Sequence, residues 1–154
     1  MAATYAWNEY NGAGETETAG ISNVNFGSVD SPNLSSPNNR VVAGQNSFEK
    51  WIKGDFSGSY TQIDNLKFWK SGGSLPAGVT IKAAVNASYA TPTDSASVVA
   101  TADVPEAEGS ALVPTSPGAS PSNSGYITMQ LQATGGATPG SIGTQTFTLR
   151  YDEV

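Results

Sequence analysis

The most constraining feature of this chain is the strict alternation in YITMQLQA (126–133). Ile127, Met129, Leu131 and Ala133 take one set of positions, and Thr128, Gln130 and Gln132 take the other. Successive strand side chains point to opposite faces, so a period of two with one polar set predicts a half-buried strand of an antiparallel sheet. QTFTLRY (145–151) repeats the pattern, with Phe147, Leu149 and Tyr151 inward and Thr146, Thr148 and Arg150 outward. These read as the last two strands. The glycine-rich TGGATPGSIG (134–143) between them is too long a loop to make them neighbours by itself. Nowhere do apolar residues recur at helical spacing for three turns.

Further strands follow from the same rule. In SFEKWIKGDFSG (47–58), Phe48 and Ile52 share one face and Trp51 takes the other, with Gly54 expected to mark a bulge or bend. In NLKFWKS (65–71), Leu66 and Phe68 oppose Lys67 and Trp69; in VTIKAAVNASY (79–89), Val79, Ile81, Ala83 and Val85 face inward. SGGSLPAGV joins these two with turn residues. TYAWNEY (4–10) and ISNVNFGSV (21–29) read as strands separated by the turn-prone NGAGETETAG, and a short strand is expected around Ser97–Thr101. DSPNLSSPNNR (30–40) and VPEAEGSALVPTSPGASPSNSG (104–125) have no period and read as loops, the second long enough to reach a neighbour or stand outward. The expected fold is all-β: one antiparallel β-sandwich, Ig-like or jelly-roll-like, of about seven to nine strands. Residues 1–19 would be an N-terminal arm or a first strand, and 20–154 the sandwich domain.

Composition narrows the chemistry. The 154 residues hold 13 acidic and 7 basic groups, a net charge of −6, which argues against nucleic acid and against an anionic membrane surface as partners. The chain has no cysteine and no histidine. A Ser-His-Asp or Cys-His arrangement cannot then be built, nor a thiolate or imidazole metal site. No glycine-rich phosphate cradle is present, and no Asp/Asn loop of calcium-binding pattern. Carboxylate-only catalysis would need a pair with raised pKa. Glu49, Asp55, Asp64, Asp94, Asp103, Glu106, Glu108, Asp152, Glu153 and the N-terminal acids read instead as solvated surface. The expectation is no enzyme, no cofactor and no metal. No apolar run approaches a membrane span, and MAATYAWNEY lacks the features of an export signal. The glycosylation-like Asn33-Leu34-Ser35 and Asn86-Ala87-Ser88 are read as chance in an Asn/Ser-rich chain.

Aromatic residues are the remaining candidates. Trp51 and Trp69 lie in a region that also holds five of the seven cations, between residues 50 and 82. Three readings stay open for the tryptophans: core or loop cover, a subunit interface, or a platform stacking on sugar rings with Lys67 and Lys70 bonding hydroxyls. The clustering of cations would suit electrostatic contact between copies.

The succession NVNFGSVDSPN, AGQNSFEKWIKGDFSG, IDNLKFWKSGGSLPAGVTIKAAVNASYATPT, GYITMQLQATGGATPG and FTLRYDE resembles the small virion structural proteins of tailed bacteriophages, of the head decoration (auxiliary capsid) type, over residues 20–154. The resemblance implies a β-sandwich made in the host cytoplasm and sited on the outer capsid surface of the virion. Its partners would be the major capsid protein and its own copies, as a trimer or other homo-oligomer. It would stiffen the shell without cofactor or catalytic residue. The N-terminal segment would then be an arm reaching a neighbour through Tyr5, Trp7 and Tyr10, or else an ordinary first strand and polar loop. The interface candidates are Tyr5, Trp7, Tyr10, Trp51 and Trp69. The alternative is a carbohydrate-binding or host-surface adhesion module of the same fold.

Overall fold

A computed structural model describes residues 2–34 and 37–154. Residues 35 and 36, within the predicted 30–40 loop and including the serine of the first glycosylation-like triplet, lie outside the described residues, as does residue 1. Nine strands are described: β1 (Ala3–Asn11), β2 (Thr16–Ile21), β3 (Lys50–Gly58), β4 (Ile63–Gly72), β5 (Val79–Asn86), β6 (Ala102–Asp103), β7 (Ser122–Asn123), β8 (Tyr126–Ala133) and β9 (Thr146–Glu153). Among the described residues the one helical turn is a 3-10 element at Glu108–Ser110. The fold is therefore all-β, as the alternation predicts.

The strands form two antiparallel sheets in a sandwich-like arrangement. The large sheet runs β2-β1-β3-β8-β5-β6, with β7 also pairing β3, and the small sheet is β4-β9. Consecutive segments change sheet, since β4 leaves the large sheet between β3 and β5, and β9 leaves it after β8. Between the sheets lies the main core, with Ile52, Phe68, Ile81, Ile127, Met129 and Leu131 among its members. Phe56, Ile63 and Leu66 extend it at one end.

The large sheet is covered on its other face too. Tyr10, Trp51 and Tyr126 are buried there, with Tyr89 and Val99 packed over them. This is why the polar positions of β8 depart from expectation: Thr128 and Gln130 are both 0% exposed. Segment 87–101 lies over that face and is tied down by Gln130. Its amide nitrogen donates to the carbonyls of Ser95 (2.6 Å) and Thr93 (3.3 Å), and its oxygen accepts from the Ser97 N–H (2.9 Å). A half-buried strand became a fully buried one because β8 sits between β3 and β5 beneath a covering segment.

Other expectations are corrected. ISNVNFGSV supplies only the end of a strand; β2 is Thr16–Ile21, inside the stretch expected to be a turn. No strand forms at Ser97–Thr101. There the Ser97 hydroxyl accepts the N–H groups of Val99 and Ala100, a local turn, and pairing with β5 begins at Ala102. At Gly54 β1 and β3 stay in register, while on the other side of β3 the ladder slips by one residue between Ile52–Ile127 and Asp55–Asn123. The Gly54 N–H donates to the Ser124 hydroxyl there, so the expected irregularity falls on that side alone; a Cβ at Gly54 would lie 2.9 Å from the Tyr5 ring. Val85, expected inward, is exposed at the end of β5. Glu9 and Glu49 are not solvated surface but buried, Glu9 in a 2.8 Å ion pair with fully buried Lys50. The 104–125 segment does not stand outward. It runs along β4 through bridges at Phe68–Leu112 and Ile63–Gly118, then adds β7 to β3.

Candidate functional site

The two edges of the small sheet differ. On the β4 side, Phe68 exchanges both backbone bonds with Leu112, while the N–H groups of Lys70 and Ile63 donate to the carbonyls of Pro105 and Gly118. These residues turn their backbone groups away from β9. Their register partners in β9 are Leu149, Phe147 and Glu153. In an antiparallel ladder such pairs are the non-hydrogen-bonded ones, so the partners turn their own groups away from β4. By alternation Tyr151 does the same. The N–H and C=O groups of Phe147, Leu149, Tyr151 and Glu153 thus line the outer edge of β9, and none of them meets a backbone partner among the described residues.

The side chains along this edge are also incompletely covered. Phe147, Leu149 and Tyr151 point inward yet remain half-buried, whereas Ile63, Leu66 and Phe68 of neighbouring β4 are 0% exposed. Opposite them on β1 are Tyr5 and Trp7, likewise half-buried. The rings form one chain of contacts. Tyr5 meets Trp7 edge-on at 5.2 Å and Tyr151 at 6.2 Å. Trp7 meets Phe68 at 5.9 Å, and Phe68 stacks on Phe147 at 5.6 Å. The Tyr5 hydroxyl is buried without a partner, and burial, aided by Tyr151, raises its pKa well above the usual phenol range. At one end the seam opens into a cleft of about 600 Å³ whose walls include Trp7, Ile21, Phe26, Ile142 and Phe147 and no charged residue.

Charge sits instead on the outer face of the small sheet. Lys67 and Arg150 are cross-strand neighbours there, and Glu108 of the 3-10 element pairs with both, at 3.4 Å from Lys67. The hydrogen bond from Arg150, then that from Lys67, holds the Glu108 carboxyl below its ordinary 4.5. Asp152 follows Arg150 on the same face, 3.9 Å from its guanidinium.

The structure separates the five aromatic candidates. Tyr5 and Trp7 come together on the seam, in a first strand rather than an arm. Tyr10 and Trp51 come together on the opposite face, 4% and 0% exposed, and are corrected as interface candidates because neither has surface to give a partner. The Trp51 indole N–H donates to the Glu49 carboxylate at 3.1 Å, so its polar atom is also satisfied internally. Trp69 stands half-buried on the outer face of β4, opposite Thr148. Lys70, paired with it as a sugar-binding candidate, is turned inward and bound to Glu106 and the Gly73 carbonyl. Phe147, Leu149 and Tyr151 also belong to the site; alternation places them inward but does not mark β9 as the end of its sheet.

Among the described residues no group of His, Cys, Asp or Glu gathers as metal ligands, and no helix is long and apolar enough to cross a membrane. A scan against protein-family models, a search of curated proteins and a search of solved structures each return no match to this chain.

Proposed function

We infer that this is a non-enzymatic structural protein of a virion: a head decoration protein that binds the outer capsid and its own copies and stiffens the shell. The observation that supports this reading is the edge of β9, an eight-residue strand with unpaired backbone groups beside a seam of half-buried aromatic side chains. An exposed edge is a template for another strand, and aromatic side chains supply most of the energy of protein interfaces. The acidic net charge of −6 suits a protein held away from packaged DNA. The reading as a sugar-binding module has less support, since Trp51 is buried and Lys70 is engaged, leaving Trp69 as a lone stacking surface.

Particle stability tests the proposal. Heads assembled with and without this gene are compared by heating until DNA is released, with mass spectrometry of the intact particle. The expected result is many copies of the chain per head and a higher release temperature when it is present. Absence of the chain from purified heads overturns the proposal.

A further inference from the structure

We propose that β9 is a self-association strand: two copies of this chain pair antiparallel along their β9 edges about a two-fold axis through Tyr151, joining two β4-β9 ribbons into one four-stranded sheet. The inference deepens the self-association half of the function proposed above and rests on that half alone.

The argument begins with backbone direction. Only residues whose N–H and C=O face the open edge can form the bonded pairs of a new antiparallel ladder. In β9 these are Phe147, Leu149, Tyr151 and Glu153. A two-fold through Tyr151 sets Tyr151 against its own copy and Leu149 against Glu153 of the second copy, so bonding positions meet bonding positions over 149–153, with Phe147 beyond the paired stretch. The neighbouring position on the outer face then sets Arg150 of one copy against Asp152 of the other, twice by symmetry. Opposite charges directly across a strand pair attract, and an isologous interface requires such self-complementarity. Tyr151, half-buried within one copy, would meet its counterpart across the axis and cover part of the seam.

The remaining edges lack these properties. β2 carries Glu17 and no basic residue, so no self-pairing of it can set opposite charges across an axis. β6 has two residues, too few to hold a pair of molecules together. The far edge of β4 is already occupied by the 104–125 segment. Natural edges are commonly blunted by proline, a bulge or charge of one sign; β9 has no proline, and its Arg150 and Asp152 alternate in sign.

Sedimentation velocity of the full chain over a concentration series provides the test. The unaltered protein is expected to shift from monomer to dimer. Arg150→Asp and Asp152→Arg, each made in a Glu108→Gln background to remove the intramolecular Arg150–Glu108 ion pair, set like charges across the axis and are expected to weaken the dimer about tenfold or more. Combining the two exchanges restores opposite charges and is expected to restore dimerisation. Glu153→Pro removes one outward N–H and also the 3.0 Å bond that the Glu153 carboxylate accepts from the Ala3 N–H, whereas Glu153→Ala loses only the latter; the proline variant should therefore weaken the dimer beyond the alanine variant. A protein monomeric at every concentration overturns the proposal, as does a folded double exchange that stays as weak as its parents. Loss of particle binding with dimerisation intact would count against the virion reading and leave this one standing.

Discussion

Gly54 shows how one residue sets the seam. The β3 backbone passes beneath the Tyr5 ring, and a methyl group at this position would lie 2.9 Å from Tyr5 Cε2 and 3.1 Å from Phe56 Cε2. Aromatic rings in a packed core cannot yield by several tenths of an ångström without leaving their rotamers, and overpacking of this kind costs about 1–3 kcal/mol. Gly54→Ala is therefore expected to lower Tm by several degrees, at roughly 2–4 °C per kcal/mol for a domain of this size. In a Tyr5→Ala background the same change should cost less, because the nearer ring is gone and only the 3.1 Å approach to Phe56 remains. Equal costs in both backgrounds, measured by calorimetry, would show that Tyr5 is not what excludes a side chain at this position. The glycine is visible in the sequence; the ring above it belongs to a strand some fifty positions earlier, and no local rule connects them.

At the scale of elements, the second face of the large sheet depends on a side chain that alternation assigned to solvent. Gln130 is fully buried and bonds three carbonyls, those of Ser47, Thr93 and Ser95, as well as the Ser97 N–H. Gln130→Leu keeps the volume and removes these bonds, leaving buried backbone groups unpaired at about 1–3 kcal/mol for each that water cannot reach. Hydrogen exchange should then quicken selectively in residues 87–101, while amides of the β4-β9 ribbon keep their protection relative to global unfolding. Uniform acceleration across both sheets would mean that the segment is not a separate cover. Segment 104–125 illustrates the same point from the other side. Its composition reads as a free loop, yet it closes one edge of β4 and thereby leaves β9 as the open edge of the small sheet.

For the whole molecule, the aromatic packing makes a pH prediction. Burial raises the pKa of Tyr5, Tyr10 and Tyr89, and Tyr10 is pushed up to about 12 from the ordinary 10.0. The folded state keeps these phenol protons at pH values where the unfolded chain has released them, so their contribution is complete below about pH 10 and declines as pH rises. The share of Tyr10 disappears as pH passes through about 12. Thermal unfolding followed by circular dichroism should therefore show Tm falling from about pH 10 upward. Tyr10→Phe, which has no proton to lose, should flatten that fall. An identical slope in the variant would place the alkaline sensitivity elsewhere.

How much of this was legible beforehand depends on the range of the interaction. Alternation along a strand is a property of backbone geometry, so the residues of β4, β5, β8 and β9 alone determined which side chains share a face, and with them the all-β class. The absence of histidine and cysteine likewise determined that no imidazole or thiolate chemistry is available. Strand order was decided only in three dimensions, because it depends on which distant segments pair. From that order come the burial of Trp51 and Gln130 at the centre of the large sheet, and the incomplete burial of Phe147, Leu149 and Tyr151 at the rim of the small one. Periodicity fixes a direction for each side chain, and only tertiary pairing determines whether anything lies in that direction to cover it.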